Sequence, residues 1–401
     1  MYNIGLYIYQ LAIFIASFFN EKARKLRDGQ SEAFAILKEK AGIDKKYIWF
    51  HAASLGEFEQ GRPVIEKLKQ IDPETKILLT FFSPSGYEIR KSYAGADIIC
   101  YLPLDTVTNV SRFLNSVKIS KAIFIKYEFW PNYLKALKAN KIPFYSISAI
   151  FRPDQVFFKW YGSWYRNLLK SFNHIFVQDD NSLNLLENHG FKNATTAGDT
   201  RFDRVADLAK QTKTIALVEA FIKGAKKVIV AGSSWPKDEE LLVEYLKKHS
   251  DIKLILFPHE IHESHITGII KLTDNNYIRF TEANEQNMTK ANCLIVDTIG
   301  ILSTVYQYAS VAYIGGGFGV GIHNTLEAAV WNIPVVFGPN YQKFREAKEL
   351  IAKGGAFTIS DYNELEKSLD TLLIDKNAGK IAGEYVKMNT GATDLIIKEI
   401  L

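Results

Sequence analysis

Short apolar segments alternate with longer amphipathic segments along most of the 401-residue chain. The apolar segments are rich in β-branched and aromatic residues and fall into two sets. The first is YIWF, KILLTFF, DIICYLP, KAIFIKY, PFYSIS and HIFVQ, and the second, after about residue 205, is KKVIVAGSS, IKLILFP, CLIVD, VAYIGGG and IPVVFG. This alternation is typical of βαβ units, in which helices cover a parallel sheet. The pattern predicts two Rossmann-like α/β domains, at residues 28–205 and 206–401, with a linker between Asp199 and Gly224.

The N-terminus departs from this pattern. Residues 4–19 carry no charge, and the residues that follow include Lys22, Arg24, Lys25 and Arg27. The charges follow the apolar run, whereas in a cleavable signal peptide they precede it. Residues 1–27 therefore predict a membrane anchor whose basic flank stays in the cytoplasm. The run is slightly shorter than the roughly 17–25 residues of a full span, so a helix lying in the bilayer surface is an alternative. An amphipathic helix packed on its own domain is another.

Composition excludes several classes of protein. The two cysteines, Cys100 and Cys293, lie far apart without metal or redox spacing, which argues against a disulfide scaffold and fits a reducing compartment. A formal net charge of +5 is too weak and too dispersed to indicate a nucleic-acid partner. It suits an acidic ligand or an anionic membrane surface.

A carboxylate follows the first strand-like segment, in YIWFHAASLGE. Ligands of open parallel sheets lie beyond the carboxyl ends of the strands, so Glu57 is a candidate general base. Ser54 and Glu57 also form the S-x-x-E pattern of a capping box, in which both side chains bind backbone amides. Pro63 favours the base, because proline prefers the first helical turn and would place the helix start near Gly61.

Glu128, in KYEFWPN, is a second carboxylate at a predicted strand end. Trp130, Pro131 and Asn132 most simply fix the turn into the next helix. Glu128 is expected either to position a substrate or to hold the loops of its domain.

A glycine-rich stretch, VAYIGGGFGVGIHNTLEAA, follows a strand-like segment in the second half. Glycines allow close backbone approach, and the amides of a helix N-terminus bind phosphate. The spacing is not GxGxxG, so a dinucleotide site is not indicated. A carboxylate about 6 Å from a phosphate would be repelled by roughly 3 kcal/mol at an effective dielectric near 20, so Glu327 suits ribose hydroxyls better. The stretch predicts a nucleotide site, with a glycine turn that binds no ligand as the alternative.

Two further segments carry polar side chains after strands. In AGSSW, Ser233 and Ser234 either cap the next helix or offer hydroxyls to a phosphate. FPHEIHESH places three histidines at intervals of three, His259, His262 and His265. This is not HExxH, in which two histidines four apart share one helical face, so no metal site is expected.

These segments together resemble the 3-deoxy-D-manno-oct-2-ulosonic acid (Kdo) transferases of lipopolysaccharide synthesis. FHAASLGE, KYEFWPN, AGSSW, HNTLEAA and the apolar N-terminus with its basic flank occur in the family's order, up to about residue 345. The resemblance implies a GT-B fold of two facing Rossmann-like domains with an N-terminal apolar anchor helix. It implies that the C-terminal domain binds the donor CMP-Kdo and that the N-terminal domain binds a lipid A precursor (lipid IVA). It also implies no metal, no nucleic acid, and a place on the cytoplasmic face of the inner membrane.

The resemblance also implies roles for individual residues. Glu57 is the general base, and Ser54, Gly56 and Glu128 bind or position the acceptor. The nucleotide contacts fall on Ser233, Ser234, Pro258, His259, Ile299, Gly300, Ile301, Gly317, His323, Asn324, Thr325, Leu326 and Glu327. His259 stands where family members often have arginine, and Ile301 where they often have glutamate, so these two contacts are in doubt. A transferase or epimerase that uses a UDP-sugar, and a non-catalytic membrane-associated nucleotide-binding protein, are the alternative functions.

Overall fold

The computed structural model describes residues 2–211, 213–284, 286–288 and 291–401, which form two compact α/β units. The first unit runs to Asp203 and adds Thr390–Leu401, and the second is Arg204–Asn389. Met1, at the start of the predicted anchor, lies outside the described residues.

The first unit is built on a seven-stranded sheet within the described residues. Its helices are α1 (Tyr2–Ala16), α2 (Glu21–Lys40), α3 (Leu55–Ile71), α4 (Pro84–Arg90), α5 (Val107–Ser116), α6 (Pro131–Ala139), α7 (Ser163–Leu169) and α8 (Asp180–Glu187). Helix α9 (Thr200–Lys210) begins in this unit and ends in the second. Its strands are β1 (Lys46–Ala52), β2 (Lys76–Phe81), β3 (Ile98–Tyr101), β4 (Lys118–Ile125), β5 (Phe144–Ala149), β6 (His174–Val177) and β7 (Ala194–Thr196). The strands are parallel in the order β3-β2-β1-β4-β5-β6-β7. The order reverses between β1 and β4, and a crevice at the carboxyl ends of two such strands is the usual ligand site.

The second unit repeats this plan. Its described strands are β8 (Lys227–Ser234), β9 (Ile252–Pro258), β10 (Tyr277–Arg279), β11 (Cys293–Ile295), β12 (Val311–Ile314), β13 (Val335–Phe337) and β14 (Ala356–Thr358). Their order is β10-β11-β9-β8-β12-β13-β14, again parallel, so the reversal lies between β8 and β12. The helices are α10 (Ala216–Ile222), α11 (Pro236–Lys248), α12 (Glu263–Leu272), α13 (Leu302–Val305), α14 (Leu326–Ala329), α15 (Arg345–Lys353), α16 (Tyr362–Leu372), α17 (Asn377–Met388) and α18 (Ala392–Ile400), of which α18 belongs to the first unit.

Central strands of both sheets are buried on both faces, as the apolar runs of the sequence require. In the first unit the fully buried Trp49 forms the centre of an aromatic cluster. Its ring lies 5.0–5.4 Å from those of Phe113, Phe124 and Tyr133. The indole N–H donates to Thr80 Oγ1 at 2.7 Å, so the one polar atom of this side chain is satisfied.

The C-terminal helix corrects the predicted domain boundary. We assigned all of residues 206–401 to the second domain, whereas α18 packs on the first unit. Its isoleucines Ile396, Ile397 and Ile400 join the buried cluster around Phe58. The carboxylate of Asp203 accepts hydrogen bonds from the backbone N–H groups of Gly391 and Thr393 at 2.5 and 2.7 Å. The predicted linker is also largely helical, since α9 and α10 occupy most of it.

Helix α1 packs on its own unit and also exposes an apolar surface. Tyr2 donates from its hydroxyl to Asp105 at 2.7 Å, and Leu6 is buried. Most of the other large apolar side chains are exposed, namely Ile4, Tyr7, Ile8, Tyr9, Leu11, Phe14 and Ile15. Among the described residues, no helix has both the length and the apolar content needed to cross a bilayer.

Candidate active site

Glu57 lies in the first turn of α3, directly after β1. The helix starts at Leu55 with Ser54 as N-cap residue, so the predicted start near Gly61 is wrong. Pro63 lies inside the helix and removes one hydrogen bond. The apolar face of α3, which includes Phe58, offsets this loss by its burial in the core.

The Glu57 carboxylate makes only part of a capping interaction. Its Oε2 accepts a hydrogen bond of 2.6 Å from the backbone N–H of Ala53, while the Ser54 side chain makes no cap bond. The reciprocal capping box is therefore not formed. No described residue donates to Oε1, which leaves that oxygen for a ligand. Gly56, next to it, is exposed and has open space around its Cα.

The pKa of Glu57 is raised above its usual value. Burial is the main cause, and the negative charge of Glu128 adds to it. The Ala53 N–H and the charges of Lys126 and His51 partly offset these effects. A raised pKa makes a carboxylate a stronger base at neutral pH, which is the property that a general base needs.

Glu128, after β4, is held by a buried histidine and an indole. Trp130 Nε1 donates to Glu128 Oε2 at 2.9 Å, and His51 Nε2 lies 3.3 Å from the same oxygen. His51 is fully buried, and its Nδ1 lies 2.9 Å from the hydroxyl of Thr80. Nδ1 also lies 3.1 Å from the backbone carbonyl oxygen of Thr80, and Trp130 Nε1 lies 3.1 Å from His51 Nε2. The structure therefore brings His51, Glu57 and Glu128 together at the reversal point of the sheet.

An aromatic wall extends from this site to α1. The rings of Trp130 and Phe82 lie 4.9 Å apart, and the ring of Tyr9 lies 6.4 Å from that of Phe82. The Trp130 indole thus donates to a carboxylate and contacts an apolar wall. The sequence predicts only a turn at Trp130, and it contains no pattern that indicates a partner for His51.

Arg201 is a cationic side chain that we had placed in a linker. Its guanidinium binds the carboxylate of Asp199 at 2.7 and 2.9 Å. Gln60, one turn after Glu57, donates to the same Asp199 carboxylate at 3.5 Å. The polar DTRFD segment after β7 was the available signal for a functional group here.

In the second unit, the glycine-rich loop follows β12 at the sheet reversal. A Cβ on Gly315 would collide with the backbone of Ser233, and one on Gly317 would collide with the backbone of Gly338. Gly316 has φ +90° and donates from its N–H to Asp238 at 2.9 Å. These glycines are therefore required by the packing of the loop itself, and Gly317 is buried in it.

The helix after this loop differs from the predicted one. It consists of Leu326–Ala329 only, so its dipole is small and we do not assign phosphate binding to its N-terminus. Asn324 donates from Nδ2 to Glu327 Oε1 at 3.0 Å and accepts from the N–H of Leu326 at 3.1 Å. The amide of Asn324 thereby orients the carboxylate of Glu327.

Three aromatic rings lie against one another beyond the carboxyl ends of β8, β9 and β12. The ring of His259 lies 4.8 Å from that of Trp235 and 4.6 Å from that of His323. Burial and the neighbouring His259 lower the pKa of His323 to about 4, so its imidazole is neutral at pH 7. The buried atoms Trp235 Nε1, His323 Nε2 and Thr325 Oγ1 have no hydrogen-bond partner within the described structure. Buried polar atoms of this kind usually bind a ligand or water.

The other predicted nucleotide contacts vary in accessibility. Ser234 is fully buried and donates to Glu239 at 2.8 Å, so it cannot contact a ligand directly. Neither serine caps α11, whose N-cap residue is Trp235. Ser233 is half-buried with φ +54°, and Pro258 is buried at the end of β9. Beyond β11, Ile299 and Gly300 are exposed and Ile301 is half-buried.

The three histidines of FPHEIHESH have separate partners. His265 binds Glu239 at 2.9 Å, His262 binds Glu260 at 3.2 Å, and His259 stacks as described. Among the residues that the structure describes, no three His, Cys, Asp or Glu side chains converge as metal ligands would.

Comparison with known proteins identifies the family. Residues 28–204 match the family described as 3-deoxy-D-manno-octulosonic-acid transferase (kdotransferase). The 3-deoxy-D-manno-octulosonic acid transferase of Aquifex aeolicus is 31% identical over 86% of this chain and 91% of its own length. This chain belongs to the Kdo transferase family. The resemblance found in the motifs is thus confirmed, and so is the glycosyltransferase class.

Comparison with solved structures confirms that this chain has a GT-B-type fold. UDP-GlcNAc 2-epimerase from Neisseria meningitidis aligns with a TM-score of 0.62 and 17% identity, over 89% of this chain and 99% of that one. MurG from Acinetobacter baumannii aligns with a TM-score of 0.55 and 12% identity over the same shares. At these identities the similarity concerns the fold alone.

Proposed function

We propose that the protein transfers Kdo from CMP-Kdo to a lipid A precursor, lipid IVA, with Glu57 as general base. The assignment of the base rests on the position and environment of the Glu57 carboxylate. It lies at the carboxyl end of β1, has a raised pKa, and keeps one oxygen without a described donor. In the reaction Glu57 removes the proton of the acceptor hydroxyl. The hydroxyl oxygen bonds to the anomeric carbon of Kdo, and the bond from that carbon to CMP breaks.

Glu128 is proposed to position the acceptor. Its Oε2 is committed to Trp130 and His51, which fixes the side chain. Its negative charge helps to raise the pKa of Glu57. Ser54 and Gly56 flank the base on the approach to α3 and would border the acceptor. Arg201, near the same helix, offers positive charge for an anionic substrate.

The second unit is proposed to bind the CMP part of the donor. Glu327, oriented by Asn324, would accept hydrogen bonds from the ribose hydroxyls. The unpartnered donors of Trp235 and Thr325 and the neutral His323 would bind polar oxygens of the donor. His259 and Ile301 replace the charged residues that family members often have, so neutral groups would do more of the binding here.

The enzyme is proposed to act on the cytoplasmic face of the inner membrane. The exposed side chains Ile4, Ile8, Leu11 and Ile15 recur at helical spacing along one side of α1. Such a stripe can lie in the interfacial region of a bilayer. The aromatic wall of Tyr9, Phe82 and Trp130 then gives an apolar connection from the membrane to the acceptor site.

We propose that the transfer requires no metal, since protein groups would stabilise the departing CMP. The deciding experiment is mass spectrometry of lipid IVA incubated with CMP-Kdo and the protein, with and without EDTA. The expected result is a mass increase of one or more Kdo units in both samples. Transfer from a UDP-sugar but not from CMP-Kdo would overturn the donor assignment, and loss of transfer with EDTA would overturn the metal-free mechanism.

A further inference from the structure

The loop between β5 and α7 and the first turn of α7 expose three large aromatic side chains. Trp160 is 90% exposed, Tyr161 59% and Trp164 40%. Trp160 and Tyr161 lie against each other, with ring centroids 5.4 Å apart. Exposing an indole ring to water to this extent is unfavourable in free energy, and folded proteins usually bury most of such a ring. We call these three residues the aromatic patch.

The loop holds the aromatic patch outward in a fixed conformation. Arg166 donates to the carbonyl oxygens of Phe157 and Lys159 at 2.9 and 2.7 Å. Phe157 packs inward against the core cluster of the first unit. A Cβ on Gly162 would collide with the carbonyl of Val156, so the turn between Tyr161 and Trp164 requires glycine. The exposure of Trp160 therefore follows from an ordered loop.

The segment that contains the patch is strongly basic. Residues 131–170 contain seven lysines and arginines but one acidic residue, Asp154. The formal charge of this segment alone exceeds the +5 of the whole chain. Three of the lysines, Lys135, Lys138 and Lys141, are exposed on or just after α6. The Nζ of Lys135 lies 5.0 Å from the ring centre of Trp164, so charge and aromatic surface adjoin.

The patch adjoins the N-terminal end of α1. The ring of Tyr2, at the start of α1, lies 6.3 Å from the ring of Trp164. Tyr2 is fixed there by its hydrogen bond to Asp105, and Asn3 accepts from Asn132 of α6 at 2.8 Å. The aromatic patch thus lies beside the N-terminal end of α1 and beside α6.

We propose that the aromatic patch is a second membrane contact, which inserts into the interfacial layer of an anionic bilayer beside α1. Tryptophan and tyrosine prefer this layer, because the ring is apolar and the N–H or O–H can bind water and headgroups. Lysines at the same level attract anionic headgroups. A second contact beside α1 restricts the rotation of the first unit on the membrane, whereas α1 alone leaves it free to rotate about the helix axis. The inference extends the proposed membrane association and does not depend on the transfer reaction.

The experiment measures binding of the full chain to acceptor-free vesicles, so that it is independent of transfer activity. Vesicles of phosphatidylcholine with phosphatidylglycerol are compared with vesicles of phosphatidylcholine alone. The double variant W160S/Y161S should bind the anionic vesicles about tenfold more weakly, and K138A should lose several-fold. The matched controls are I374S, which removes an 81% exposed side chain from the second unit, and K271A, an exposed lysine there. Both should bind as the wild type does.

Insertion is read out separately with lipids brominated on their acyl chains, which quench nearby tryptophan. Trp160→Phe keeps an apolar ring and should retain vesicle binding while losing part of the quenching. Wild-type affinity in W160S/Y161S with a melting temperature equal to that of the wild type would overturn the proposal. So would quenching that is the same in Trp160→Phe as in the wild type, because Trp160 would then not be in the bilayer.

Discussion

His51 Nε2 lies 3.3 Å from Oε2 of Glu128, although 77 residues separate the two along the chain. The imidazole is fully buried, and Thr80 fixes its other nitrogen. The carboxylate of Glu128 therefore has two fixed partners, His51 of strand β1 and Trp130. We infer that His51 is a positioning residue, because it acts on the substrate only through Glu128.

Replacing His51 should reduce transfer without abolishing it. His51→Phe removes one hydrogen bond to a charged group, and a loss of about 1.5–3 kcal/mol corresponds to a ten- to hundredfold lower kcat/KM. His51→Gln retains an N–H donor and should keep more activity than His51→Phe. Both variants are assayed for kcat, KM and melting temperature. Equal activity in the two variants, at equal stability, would contradict the positioning role.

The pH dependence of transfer should report the Glu57–Glu128 pair. The base acts when deprotonated, so kcat/KM should fall at acid pH, with an apparent pKa above the usual value of a glutamate. The Glu128 charge contributes to the raised pKa of Glu57. Glu128→Gln should therefore shift this acid limb to lower pH.

Glu59→Gln is the matched control for that shift. Glu59 is on the same helix as Glu57 and forms ion pairs with Arg62 and Arg90. Its replacement removes a charge of the same sign but should leave the acid limb where it is. An acid limb at the same pH in Glu128→Gln would show that the two carboxylates are not coupled.

Sequence patterns predicted the architecture well because the two βαβ series are local and strongly periodic. They also placed Glu57 and Glu128 after strands, and the reversal of strand order brings these strand ends together. The sequence predictions failed where interactions between distant residues override local sequence preferences. Pro63 indicated a helix start, but burial of the apolar face of α3 carries the helix through it.

The sequence also did not reveal contacts between residues that are far apart along the chain. The roles of Trp130 and Trp235 depend on rings that are distant in sequence, those of Phe82 and His259. The return of α18 depends on Asp203, which accepts from two backbone N–H groups nearly 190 residues later. Glu239 explains why Ser234, an apparent phosphate ligand in AGSSW, instead has an internal hydrogen bond.

His323 should make the stability of the second unit depend on pH. Its pKa in the folded protein is about 4, below the usual 6.5, so the unfolded chain binds more protons between these values. The free energy of unfolding therefore rises with pH from about 4 to about 6.5 and is flat above that range. His323→Gln should reduce this slope in melting curves recorded across the range. An unchanged slope would show that His323 is accessible enough to titrate normally.

Glu327→Ala should weaken CMP binding by about 1.5–3 kcal/mol if the side chain accepts hydrogen bonds from ribose hydroxyls. Isothermal titration calorimetry with CMP measures the change directly. Glu384→Ala is the matched control, because Glu384 is an exposed carboxylate of the same unit, at 3.9 Å from Lys380. Equal CMP affinity in Glu327→Ala and the wild type would remove Glu327 from the nucleotide site.

Glu57→Gln separates the base from a merely structural residue. Glutamine keeps an oxygen that can accept from the Ala53 N–H, but it cannot take the acceptor proton, so transfer should fall by about 10²–10⁴-fold. CMP affinity should be unchanged, since Glu57 belongs to the other unit.

The raised pKa of Glu57 means that its ionised form is disfavoured by the fold, so stability is lost as pH rises through that pKa. Glu57→Gln should consequently melt at the same or a higher temperature than the wild type at neutral pH, and the difference should shrink at acid pH. A capping role predicts the reverse, with near-normal turnover and any defect confined to stability. Turnover, CMP affinity and melting temperature measured on this one variant therefore decide between the two roles, and normal turnover would make Glu128 the next candidate for the base.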